Sequence, residues 1–270
     1  MVIEGEHEGL TEFPSIVAGP VEEQIAESIV DRMTNGACIQ LGVGGMPDAI
    51  GKLIAESELK DLGIHTELLV NAYLDMHKAG KITNLNKHDI MRGKSVFSIA
   101  HGTKELFDWV SDNPSMCCAP INYVNDLSVI GEIDNFVSIN SCIAVDLFGQ
   151  ISAESAGTRH ISGTGGQLDF LTAGFKNPRA QSFIALPSTY TDKKGNLHSN
   201  IKPTFTGGDI ITDPRSQAYT MVTEYGIENL AGASVWERAE KLINLAHPDF
   251  REELIESAKK VNVWRQSNKR

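Results

Sequence analysis

The chain has no apolar run approaching the roughly 20 residues needed to cross a bilayer as a helix, which excludes a membrane-spanning helix from the reading. It is poor in cysteine. Cys38, Cys117, Cys118 and Cys142 are the whole set, and no two form a CxxC pair, so zinc and thioredoxin-like chemistry lack their ligand spacing. Cys117 and Cys118 are adjacent, a poor geometry for a structural disulfide. Reduced thiols and a cytoplasmic location are the expectation. Positive charge is in deficit, with 24 Lys and Arg against 35 Asp and Glu and a formal net charge of −11. That balance argues against nucleic acid or an anionic membrane surface as partner. It leaves room for an anionic small molecule held by local amide dipoles. Several catalytic signatures are also missing. There is no HExxH and no GxSxG, no Gly-Lys-Ser/Thr follows a glycine turn, and Pro47 stands where a dinucleotide fingerprint needs its third glycine. The start, Met1 to Glu8, is acidic and lacks the basic-then-apolar order of a signal peptide.

Two glycine-dense stretches are present. One is Gly42-Val43-Gly44-Gly45-Met46-Pro47, the other Gly163-Thr164-Gly165-Gly166-Gln167. Glycine lets an anion approach backbone N–H groups because no Cβ stands in the way. Between the two turns, in Ile64-His65-Thr66-Glu67-Leu68-Leu69-Val70, lies a lone acid, Glu67. A carboxylate at the edge of such a cradle is a candidate covalent nucleophile. A lone Glu beside a strand is also an ordinary salt-bridged or solvated edge residue, and a G-x-G-G turn alone is equally an ordinary tight connection. His65 shares a strand face with Glu67 and reads first as a satisfied structural histidine.

Residues 1–19 read as a lead-in linker without periodicity. Pro20 opens a helix whose Val21, Ile25, Ile29 and Met33 recur on one face. Asn35-Gly36 ends it. Residues 37–41 form a strand that enters the first glycine turn. Pro47-Asp48 then opens a second helix. A second strand carries Glu67 near its beginning, and residues 96–100 form a third. A helix over 105–110 stops before Asn113-Pro114. Strands are expected at 136–140, 143–147, 151–153, 183–186, 210–212 and 220–223, with Asp192 to Asn196 an exposed hairpin tip. Ser234 and Glu237 form a capping box for a helix to about Leu245, and Pro248 starts the last helix. The fold class is α/β, a mixed β-sheet flanked by helices. One domain spans 20–262, followed by a basic tail over 263–270.

The glycine turns, with four later segments, carry a family resemblance. Gly42-Val43-Gly44-Gly45-Met46-Pro47-Asp48-Ala49-Ile50, followed by Leu62-Gly63-Ile64-His65-Thr66-Glu67, resembles the signature of family I CoA-transferases. The acetyl-CoA hydrolase/transferase type is the nearest subgroup, which includes 4-hydroxybutyrate and butyryl-CoA:acetate CoA-transferases. Val137 to Ser141 with Val145 to Gln150, then Ser162 to Phe170, then Val222 to Gly226, then Ala246 to Arg251 agree with it. The likeness runs from about residue 20 to 258.

The resemblance implies a CoA-transferase C-terminal-domain fold. It implies that Glu67 attacks an acyl-CoA and becomes a glutamyl-CoA thioester, with CoA contacts from Gly42, Val43, Gly44, Gly45 and Met46 and from Gly165 and Gly166. It implies an oxyanion hole from the N–H of Met46 or Gly166, and Asn140 as a polar active-site contact. No tightly bound cofactor or metal is expected; coenzyme A and acyl-CoA enter as substrate, with a short-chain carboxylate as acceptor. Family members carry two tandem domains, and this chain matches the C-terminal one. The N-terminal half helps form the active-site cleft in such proteins, so the resemblance implies a homodimer or pairing with a chain that bears the N-terminal domain. An acyl-CoA hydrolase on the same scaffold and a non-catalytic partner subunit are the alternatives.

Overall fold

A computed structural model of the chain describes residues 5, 9–87, 91–217 and 220–268. The acidic residues at the start of the chain, and Lys269-Arg270 at the end of the basic tail, lie outside them. The main sheet has eight strands: β1 (Cys38–Leu41), β2 (Gly63–Leu69), β3 (Ser95–Ala100), β4 (Met116–Cys118), β5 (Phe136–Ser141), β6 (Gln181–Ala185), β7 (Thr220–Thr223) and β8 (Gly226–Asn229). Their order is β8-β7-β6-β5-β1-β2-β3-β4. All neighbours are parallel except β7 and β8. The sheet is therefore mixed. Strands β1 and β5 are almost wholly buried, as parallel strands covered on both faces must be.

Helices α1 (Pro20–Val30), α2 (Gly45–Glu56) and α3 (Asn71–Lys78) cover one face. Their apolar stripes meet alternate strand residues there, Ile25, Ile29, Ile50 and Tyr73 packing with Ile39, Leu41, Ile64, Val137 and Ile139. Helix α4 (Lys104–Val110) continues that layer through Leu106. Three helices lie on the opposite face: α5 (Ile121–Val124), α6 (Leu127–Gly131) and α7 (Gln167–Lys176). There the intervening strand residues Cys38, Val96 and Phe136 meet Val124, Ile130, Phe170 and Ala173. The period-2 alternation of each strand thus serves two cores at once. A third core joins α8 (Val235–Leu245) and α9 (Pro248–Lys260) to Ile184 and Met221.

Several expectations need correction. Glu67 is the fifth of seven residues in β2, because the strand starts at Gly63 rather than near Glu67. Helix α2 starts at Gly45, ahead of Pro47. Gly44 at φ +118° makes the turn sharp enough for that. Residues 210–212 form no strand; an isolated bridge follows at Asp213, opposite Ile151, and single hydrogen bonds from Ile210 N–H to Ser155 Oγ and from Thr212 N–H to Ile151 O hold the segment. The expected hairpin tip is present between Thr189–Thr191 and Leu197–Ser199, with Gly195 at φ +85°. Among the described residues, no helix is long and apolar enough to cross a membrane.

Candidate active site

Strand register brings the sequence-picked residues to one end of the sheet. Cys38 pairs with Gly63 and Ile39 with Ile64; Leu41 pairs with Ile139. Continued one step past β1, these offsets put Gly42, Glu67 and Asn140 at one level on three adjacent strands. Gly42 N–H donates to Ile139 O at 2.9 Å, so the pairing continues that far. The end of β1 is pinned from the other face by Tyr73, whose buried hydroxyl accepts from Leu41 N–H at 2.7 Å. Glu67, with His65, points to the face covered by α5 and α7.

Glu67 is partly buried, and its Oε2 accepts from Asn125 Nδ2 at 2.7 Å. The second glycine turn lies directly against that bond. A Cβ built on Gly166 would collide with Glu67 Oε2 and with Asn125 Nδ2. Gly166 is also the N-cap of α7, so the first-turn N–H groups of that helix start beside the carboxylate. A cavity of about 420 Å³ opens next to Glu67 and is lined by Ile121, Asn122, Asn125, Asp126, Gly165 and Asp169. No cation lines it.

The first glycine turn stands differently. Gly42 is close beneath Asn140: an added Cβ would lie 3.0 Å from Asn140 Oδ1. Asn140 itself is 5% exposed and its amide is engaged in the sheet. It exchanges bonds of 3.0 Å with Gln40 in both directions and donates to Ser138 Oγ. Val43 is half exposed, whereas the Met46 side chain is buried in the α1–α3 core. Val43 and Gly44 line a separate small cavity of about 70 Å³ with Phe13, Ile16 and His101. The lead-in is held there: Ile16 N–H donates to Asp48 Oδ2 at 2.8 Å, and Phe13 stacks on His101 at 3.9 Å. The described cavities join Glu67 to the second glycine turn and leave the first turn one strand away.

His65 is fully buried, with Nε2 2.8 Å from Val124 O. Burial, aided by the charge of Lys87, lowers its pKa to about 4. It is a neutral structural residue that ties β2 to α5. Among the described residues, no cluster of His, Cys, Asp and Glu fits a metal ion.

A family model described as the acetyl-CoA hydrolase/transferase C-terminal domain matches residues 102–258. The chain belongs to that family. Its match includes Asn125, Asn140 and the second glycine turn and begins after Glu67. Over its full length the chain is 52% identical to a butyryl-CoA:acetate CoA-transferase of Anaerostipes caccae, covering 60% of that relative. It is 40% identical to a 4-hydroxybutyrate coenzyme A transferase of Clostridium kluyveri, over 96% of this chain and 59% of the relative. The crystal structure of RipA from Yersinia pestis superposes with a TM-score of 0.88 at 40% identity, covering 96% of this chain and 57% of RipA. The chain thus spans about 60% of the length of the curated relatives it matches.

Within this family domain, sequence reasoning missed two residues that complete the Glu67 environment. Asn125 follows the four-residue α5 and carries no periodic signal. Asp169 stands three residues after Gly166 in a stretch read as an ordered turn, where the structure has the first turn of α7. Asp213 was also missed. It is fully buried, and its Oδ2 accepts from Gln167 Nε2 at 2.5 Å at the start of α7.

Proposed function

We propose that this chain carries the nucleophile of a CoA-transferase, moving CoA between a short-chain acyl-CoA, such as acetyl-CoA or butyryl-CoA, and a short-chain carboxylate. One observation carries the reading: a partly buried carboxylate, Glu67, oriented by an amide and flush against a glycine turn. The names of the relatives support the reaction type. Relatives extend well beyond the matched region, which supports a further domain or partner chain as the part that completes the cleft.

The chemistry runs in balanced steps. A Glu67 carboxylate oxygen attacks the acyl-CoA carbonyl, and the C–S bond breaks. This yields a mixed anhydride and CoA thiolate. The thiolate attacks the glutamyl carbonyl and expels the acyl group as its carboxylate, leaving Glu67 as a CoA thioester. An acceptor carboxylate repeats the two steps in reverse and departs as the new acyl-CoA. Water is neither consumed nor released, and the kinetics are ping-pong. Each tetrahedral intermediate carries an oxyanion. Loss of one donor to such an oxygen typically costs about 2.7–4 kcal/mol. N–H groups at Gly166 and the start of α7 serve that task in this reading, with Gly165 contacting the CoA arm. Gly42, Val43, Gly44, Gly45 and Met46 contribute backbone contacts from the neighbouring strand. Asn140 acts from beneath, by fixing Gly42.

The test is mass spectrometry of the protein after incubation with acetyl-CoA or butyryl-CoA. A CoA adduct on the Glu67 peptide, discharged by added acetate with formation of acetyl-CoA, is the expected result. No adduct, with or without the remaining domain, removes the proposal. Discharge to water alone redirects it to hydrolysis.

A further inference from the structure

The Asn125 amide lies between two carboxylates from different elements. Its Nδ2 is 2.7 Å from Glu67 Oε2 on β2 and 3.5 Å from Asp169 Oδ2 on α7. Its Oδ1 is buried and has no hydrogen-bond partner among the described residues. A buried orphan acceptor is costly. Rotating the amide by half a turn would not relieve it, since Oδ1 would then face two anions. The paired carboxylates therefore fix which end of the amide meets Glu67.

Only one of these contacts is short. The 3.5 Å approach of Asp169 is at the limit of a hydrogen bond, while the Glu67 bond is that of a charge-assisted pair. The balance changes when Glu67 reacts. As a thioester it is neutral, and its oxygen is a weaker acceptor. Asp169 then becomes the ionised group within reach of Nδ2.

We propose that Asp169 is a positioning residue that takes over the Asn125 amide when Glu67 is converted to its CoA thioester. The proposal rests on the CoA-transferase reading of Glu67. Held by Asp169, the amide keeps its N–H groups toward the reacting carbonyl and its unpartnered Oδ1 away. Without that hold the amide of the acylated protein is free to flip, which presents an acceptor to the developing oxyanion of the second half-reaction. The first half-reaction starts from anionic Glu67, whose own 2.7 Å bond already holds Asn125. The ordinary role for an acid at this position, favourable interaction with the N-terminus of α7, predicts an effect on stability and none on amide orientation.

The experiment compares Asn125→Ala, Asp169→Asn and the double variant in the full-length protein, with its partner if one is needed. Formation of the Glu67 thioester from acetyl-CoA and its discharge by acetate are followed separately by mass spectrometry. Asp169→Asn is expected to slow discharge about tenfold or more while formation changes less than threefold. In the Asn125→Ala background the same change is expected to add nothing, since residues acting through one another are non-additive. Independent effects that multiply in the double variant overturn the proposal. A second readout needs no turnover. In Glu67→Gln, whose neutral side chain stands in for the thioester, the side-chain amide resonances of Asn125, assigned by their loss in Asn125→Ala, should shift when Asp169→Asn is added, and unchanged resonances there also overturn it. If the wild-type protein forms no adduct, the transferase reading and the hand-over fall together. A normal adduct with multiplying effects removes the hand-over alone.

Discussion

At Gly166 the backbone is ordinary, with φ −99°, so any residue fits its conformation. Space is what the position lacks, because a Cβ would meet Glu67 Oε2 and Asn125 Nδ2. Gly166→Ala is therefore expected to fold with little change in Tm and to form the Glu67 adduct at least ~100-fold more slowly, as expected when a reacting group is displaced by about 1 Å. Rates of adduct formation beside a thermal melt check both halves, and a near-normal rate would mean that the turn is not part of the site. Gly165 differs, since its φ of +58° is a left-handed conformation. Asp213 gives a pH signature. Burial pushes its carboxyl up to about 6, opposed by the Gln167 hydrogen bond and assisted by Glu154. The unfolded chain ionises Asp213 near pH 4, whereas the native protein resists until about pH 6. Native stability from this group is thus full at low pH and is lost as pH rises, by about 3 kcal/mol once both states are ionised. Relative to wild type, Asp213→Asn should gain about that amount between pH 4 and pH 7.5. Urea denaturation of both proteins across this range measures the difference, and parallel profiles would refute the assignment.

Helix α8 was legible because its signals are local. Ser234 Oγ accepts from Glu237 N–H, and Glu237 Oε2 accepts from Ser234 N–H at 2.8 Å. Ser234→Ala should cost about 1 kcal/mol, seen as a lower denaturation midpoint with an unchanged slope. Helices α1 and α9 were legible for the same kind of reason, each opening on a proline. Helix α3 was not. It follows β2 after a single residue, Val70, which makes no side-chain cap bond, so no polar break announces it. Helix α7 was hidden by the glycines that precede it, since its N-cap is Gly166 and a capping side chain is absent. Segment 210–212 reads as a strand from composition, yet side-chain hydrogen bonds to Ser155 and Thr212 interrupt the ladder, which is reduced to an isolated bridge at Asp213 beside Ile151. The candidate site divides along the same line. Glu67 and both glycine turns have sequence patterns of their own. Asn125 meets Glu67 across 58 residues and Asp169 across 44, and no local rule links short polar side chains over such separations. Asn140 was legible as a position, but its engagement with Gln40 and Ser138 depends on the β1–β5 register, which only the folded sheet supplies.

Taken as a whole, the molecule is acidic, and its candidate site more so. The chain carries a formal net charge of −11, and the cavity beside Glu67 adds Asp126 and Asp169 without a lysine or arginine on its lining. Coenzyme A is a polyanion, so under the proposed reaction its approach to Glu67 would run against this field. Exposed apolar side chains also stand near the carboxyl ends of three strands, Val43 at 51%, Ile99 at 47% and Ile121 at 49% exposure. Under the proposed reaction these side chains suit contact with the pantetheine arm, and the phosphates would be held at a distance from Glu67. A rate consequence follows from the long-range repulsion. At 10 mM salt the Debye length is about 30 Å, and at 150 mM about 8 Å, so salt removes repulsion by charges outside the site. The second-order rate of Glu67 labelling by subsaturating acetyl-CoA should rise severalfold between those conditions, opposite to the fall seen when opposite charges steer association. Stopped reactions quantified by mass spectrometry across a salt series measure it. A rate that falls with salt would mean that cations near the entrance outweigh the acidic body, and would put the phosphate-binding groups close to this cavity.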